Sequence, residues 1–119
     1  MELTIASRIV SGVVVLDLFG RLCYLNQSLR QTVTALLNDG HRDFVLNLTE
    51  LPYIDSFGLG QLVAIWTSIR NAGGRMRLLR PQARVRKLFE ITKLDSVFQI
   101  SDDDVTVERY AIKGCPASV

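Results

Sequence analysis

The sequence predicts a single α/β domain, a mixed sheet of four to five strands covered by amphipathic helices. Three observations predict it. Two β-branched runs meet across Ser11-Gly12, short apolar runs alternate with segments of helical apolar period, and 119 residues suffice for one core. The order is β-β-α-β-α-β-α-β-α, a hairpin followed by parallel strands joined through helical crossovers.

The first strand is expected over 3–10 and the second over 13–19, with Gly20 closing the second. Leu25, Leu29, Val33, Leu36 and Leu37 then recur at helical spacing, and Gly40 marks the stop. Residues 44–48 form a short apolar run interrupted by Asn47, the pattern of a strand buried on both faces. Pro52 is expected to forbid its continuation. A helix follows over 56–72, with Leu59, Leu62, Val63, Trp66 and Ile69 on one side, until Gly73-Gly74 ends it. Residues 75–79 read as a strand, and Pro81 stands ahead of a helix carrying Val85, Leu88 and Phe89. An edge strand is expected over 97–100. Ser101 then reads as the N-cap of a last helix, with Asp102, Asp103 and Asp104 where the helix dipole favours negative charge. The domain is expected to span 1–112, leaving 113–119 as a loose tail.

A hydrophobic content of 48% and a charged content of 22% are those of an ordinary globular domain. The longest apolar run, 13–16, stops at Asp17, far short of the roughly 20 residues a bilayer needs. The N-terminus is acidic at Glu2 where a signal peptide would be basic, so a cytoplasmic protein with no membrane partner is expected. Cys23 and Cys115 stand far apart, without metal-ligand spacing, and are predicted to be free thiols. His41 is expected in an exposed loop; being the sole histidine, it supports neither a catalytic triad nor a histidine-rich metal site. No cofactor and no enzymatic activity are expected. The basic cluster of Arg75, Arg77, Arg80, Arg84, Arg86 and Lys87 reads as a solvated face. It lacks the aromatic platform of a nucleic-acid site, so no direct nucleic-acid partner is expected.

The unusual stretch is Asp55-Ser56-Phe57-Gly58-Leu59-Gly60, after a buried strand and opening a helix. Two glycines in the first turns of a helix each cost roughly 1 kcal/mol relative to alanine, which is tolerated where backbone must come close to something. Either Asp55 or Ser56 can cap this helix. A serine hydroxyl there lies among unpaired N–H groups at the positive end of the helix dipole, where a phosphate is stabilised. Asp55 next door opposes the added charge of about −1.5 to −2. Residues 57, 60, 61, 64, 68 and 71 fall opposite the apolar stripe, which makes Phe57 an exposed aromatic beside Ser56.

These residues carry a family resemblance. Val45-Leu46-Asn47-Leu48 followed by Tyr53-Ile54-Asp55-Ser56-Phe57-Gly58-Leu59-Gly60 resembles the signature of bacterial STAS-domain anti-sigma factor antagonists, a V-L-N-L or V-L-D-L strand and a D-S-S/T-G-L-G turn. The likeness continues through Ala72-Gly73-Gly74-Arg75-Met76, Pro81 and Val85-Arg86-Lys87-Leu88-Phe89. The resemblance implies a switch. The unphosphorylated antagonist binds an anti-sigma factor that is also a serine kinase (a GHKL-type ATPase) and so frees a sigma factor. Phosphorylation of the serine matching Ser56 ends binding, and a PPM-type serine phosphatase reverses it. The implied partner-binding residues are Asp55, Ser56, Phe57, Gly58, Gly60, Gln61 and Cys23. Two departures stand out: Gly20-Arg21-Leu22-Cys23 replaces a G-E-L-D type run, and Phe57 replaces a small Ser or Thr. Other readings of the same scaffold are an unphosphorylated subunit of a sensory or lipid-transport complex, in which Ser56 only caps, and a sensor of a small ligand or nucleotide.

Overall fold

The computed structural model describes residues 3–23 and 28–102. Strands β1 (Thr4–Val10) and β2 (Val13–Leu22) pair antiparallel across Ser11-Gly12. Both turn residues carry positive φ, 51° and 85°, as tight hairpin turns matched to strand twist require. Strands β3 (Asp43–Ile54), β4 (Arg75–Leu79) and β5 (Gln99–Ser101) add in parallel, so the sheet order is β1-β2-β3-β4-β5. Helices α1 (Ser28–Asn38), α2 (Ser56–Asn71) and α3 (Ala83–Ile91) make the three crossovers.

Each crossover steps one strand in the same direction, and right-handed connections are strongly preferred, so the helices gather on one face. The main core lies between them and the sheet. It holds Leu29 and Val33 of α1, Leu59, Leu62, Ile65 and Ile69 of α2, and Val85 and Phe89 of α3. Against these pack Val14, Leu16 and Leu18 of β2, Phe44, Leu46 and Leu48 of β3, and Met76 and Leu78 of β4. Strand β3 is central, and Phe44, Val45, Leu46 and Leu48 are all 0% exposed, the two-faced burial its apolar run predicts. Asn47 interrupts that run for a reason: its Nδ2 donates to Asp17 Oδ1 at 2.7 Å, and its Oδ1 accepts from the Thr49 hydroxyl at 2.6 Å. Trp66 is half-buried, edge-on to Phe98, with the Arg70 guanidinium 5.0 Å from its ring centre.

Several boundaries depart from expectation. Strand β2 does not end at Gly20: the chain takes φ 104° there, the pairing with β3 shifts between Phe19 and Arg21, and the strand resumes to Leu22. Strand β3 likewise runs through Pro52. Its β4 partner stops at Asn47↔Leu79, and its β2 ladder is broken between Glu50 and Tyr53, so the missing N–H costs no regular pairing. The last strand is Gln99–Ser101 rather than 97–100, preceded by a 3-10 turn at Leu94–Ser96. Ser101 ends β5, and its carbonyl accepts from Arg80 N–H at 2.6 Å; the helix it is expected to cap lies outside the described residues. His41 is half-buried, not exposed. Leu25, the expected last helix with Asp103 and Asp104, the boundary at 112, Cys115 and the tail 113–119 lie outside the described residues. Among the described residues, no helix is long and apolar enough to cross a membrane.

Candidate functional site

The site is built where β2 and β3 end and α2 begins. Leu22↔Ile54 is the last pair of the β2–β3 register, and Asp55 N–H then donates to the Leu22 carbonyl at 3.3 Å. Asp55 has extended backbone and is the N-cap: its Oδ1 accepts from Gly58 N–H at 2.8 Å, satisfying one of the helix's orphan donors. The sequence leaves the cap to Asp55 or Ser56, and the structure gives it to Asp55. Ser56 is the first residue inside the helix, exposed, its hydroxyl without a hydrogen bond among the described residues. Ser56 therefore does not cap this helix. Phe57 beside it is 64% exposed.

The two glycines have different surroundings. A Cβ on Gly58 would sit 2.3 Å from the Leu22 carbonyl oxygen and 2.7 Å from Ile54 Cγ1, so the helix backbone rests directly on the end of β2. Gly60 is exposed, and a Cβ there would meet nothing within 4 Å. The fold accounts for the first glycine and leaves the second unexplained.

Two expected partner-facing residues turn inward. Gln61 is 7% exposed and its Nε2 donates to the Cys23 carbonyl at 2.9 Å; Cys23 itself is 8% exposed, with a free thiol. The cause is the seat of Gly58. With that position pressed onto β2, the buried stripe runs through Gly58, Leu62, Ile65 and Ile69, which rotates Gln61 toward the interior. Counting apolar residues misses this because the contact that orients the helix is made by a glycine. Gln61 and Cys23 thus brace the rim from below and are corrected as surface residues.

One rim feature goes unsignalled by motif reasoning. Arg21 pairs in register with Tyr53, and its guanidinium lies 4.1 Å from the Tyr53 ring centre, a cation–π contact three residues before Ser56. The contact depends on the broken β2–β3 register that brings Arg21 opposite Tyr53. The rim therefore presents an exposed serine hydroxyl and an exposed aromatic ring at the helix N-terminus, with the Arg21–Tyr53 pair at the adjoining ends of β2 and β3. Among the described residues, no group of three or more His, Cys, Asp and Glu side chains converges as a metal ion would require.

Residues 4–106, which carry the hairpin, the crossovers and the D-S-x-G-L-G run, match the STAS domain family model. The chain belongs to the STAS domain family. Its sequence is 38% identical over 66 residues to a Thermotoga maritima protein named as an anti-sigma factor antagonist. That stretch spans 56% of this chain and 58% of the relative's length. Identity to the anti-sigma-B factor antagonist of Staphylococcus aureus is 30% over 79 residues, 66% of this chain and 73% of that protein. A crystal structure of a Thermotoga maritima anti-sigma factor antagonist superposes with a TM-score of 0.82 at 31% identity, covering 90% of this STAS domain chain and 93% of the other. The Bacillus cell fate determinant SpoIIAA in its phosphorylated form shares the fold, with a TM-score of 0.70 at 22% identity over 92% and 99% of the two chains.

Proposed function

We propose that this STAS domain is an anti-sigma factor antagonist whose docking to an anti-sigma factor is switched off by phosphorylation of Ser56. The observation that carries the reading is the division of labour at the start of α2. Asp55 alone supplies the cap, so the Ser56 hydroxyl is exposed and uncommitted where the chain's backbone N–H groups and helix dipole favour an added phosphate. Phe57, 64% exposed, and the open space above Gly60 offer a partner an aromatic anchor and a place for close backbone approach. The names of the Thermotoga and Staphylococcus relatives point to the same class of partner.

The switch follows from electrostatics. Docking buries the rim; a phosphoserine there brings about −1.5 to −2 charges into a desolvated interface, beside the carboxylate of Asp55. A penalty of several kcal/mol follows, and about 1.4 kcal/mol is already a tenfold loss of affinity. On this reading the anti-sigma factor is also the ATP-dependent serine kinase, and a PPM-type phosphatase resets the protein.

Incubation with ATP and candidate anti-sigma kinases, followed by intact mass spectrometry, is the direct test. One phosphate is expected on the natural protein and none on Ser56→Ala. Ser56→Ala should bind the kinase as the unmodified protein does, while Ser56→Asp binds at least tenfold more weakly. Equal affinity of the two variants would refute the switch.

A further inference from the structure

Where α2 ends, far from Ser56, helix and sheet leave a cleft of about 280 Å³. Trp66, Arg70, Arg75, Met76, Val97 and Gln99 line it, so α2, β4 and the chain entering β5 all contribute. Met76 is buried and Trp66 half-buried, edge-on to Phe98; the other four are exposed and form the rim. The two guanidiniums at that rim are in different states. Arg75 is engaged with Asp43 at 3.3 Å. Arg70 rests over the Trp66 ring, 5.0 Å from its centre, and among the described residues no carboxylate or carbonyl accepts from it. A cation–π contact holds a guanidinium in place and leaves its N–H edge for another partner. The helix dipole accounts for a cation in the last turn of α2. It does not account for an indole and a cleft beside that cation.

We infer that this cleft binds a small aromatic carboxylate. The carboxylate takes the N–H edge of Arg70, whose planar fork matches two oxygens. The ring packs among Trp66, Met76 and Val97, since an indole and a thioether both favour aromatic contacts. Size narrows the class. Pockets for drug-sized molecules run from about 300 to 1,000 Å³, so a cleft at the lower limit admits a single ring. Charge narrows it further: the basic rim disfavours a cation, and a neutral ligand forgoes the charge-assisted hydrogen bonds that Arg70 can give. About 20 Å of helix axis separate Arg70 from Ser56, so the cleft is distinct from the docking rim.

Trp66 is the sole tryptophan, so in NMR spectra of the full chain its indole N–H reports on this cleft alone. Benzoate is the probe, benzamide the neutral control of the same shape, and acetate the carboxylate without a ring. Benzoate is expected to shift the indole N–H saturably, and both controls to bind about tenfold more weakly or worse. Arg70→Met keeps the stem and removes the fork; it should weaken benzoate by about the same factor, with Arg70→Lys recovering part of the loss. If Arg70→Met does not fold, the three probes on the natural chain decide alone. The inference is overturned if benzoate gives no saturable shift, or if benzamide binds equally well. It is also overturned if Arg70→Met binds benzoate as tightly as the natural chain, which would leave Arg70 to the helix dipole. None of these readouts involves Ser56, so they stand whether or not the switch does.

Discussion

Gly58 and Gly60 sit two residues apart in one helix, and their contrasting surroundings make separable predictions. Gly58→Ala forces a Cβ against the Leu22 carbonyl, so the helix must lift off β2; a loss of about 1–3 kcal/mol is expected, the range for overpacking a fitted contact, read from urea unfolding. Gly60→Ala meets open space and removes a poor helix former, so the free protein should gain about 0.5–1 kcal/mol in the same measurement. If Gly60 exists for a docking partner, that stabilised variant binds the anti-sigma factor more weakly. Unchanged affinity would leave the glycine without a role in the interface.

At the scale of the element, the seam between β2 and β3 explains a polar residue in a buried strand. Asp17, with only 16% of its side chain exposed, accepts from Arg8 at 3.0 Å and from Asn47 at 2.7 Å, while Asn47 accepts from Thr49. Asn47→Ala removes a donor from a largely buried carboxylate and an acceptor from Thr49. A loss of about 1–3 kcal/mol is expected by thermal or chemical denaturation, with partner affinity unchanged in the folded protein. The V-L-N-L motif is thus a strand-pairing device, whereas D-S-x-G-L-G combines a cap, a packing glycine and an exposed hydroxyl. Helix α2 shows how far such patterns can be read. Its existence and its end at Gly73 were legible from periodicity and glycine. Its rotation was not, because Gly58 and Gln61 line the buried side without being apolar.

For the molecule as a whole, the proposed switch acts on docking and not on folding. Ser56 is exposed at the start of α2 and is not part of the apolar core. A negative charge there meets the positive end of the helix dipole, worth about 0.3–1 kcal/mol. Ser56→Asp should therefore melt no lower than the natural protein and give the same far-UV circular dichroism. A lowered melting temperature would point instead to unfolding as the means of release.

The order of elements from β1 to β5, the parallel crossovers, the two-faced central strand and the D-S-x-G-L-G rim were legible in the sequence, since each is written in neighbouring residues or a short period. Tertiary structure alone decided that β3 continues through Pro52, that Ser101 ends a strand, that Asp55 takes the cap, and that Cys23 and Gln61 face inward. Those outcomes depend on which remote backbone arrives alongside: β4 stopping at Leu79, Arg80 reaching Ser101, Leu22 pressing on Gly58. A contact between distant residues leaves no local period to read.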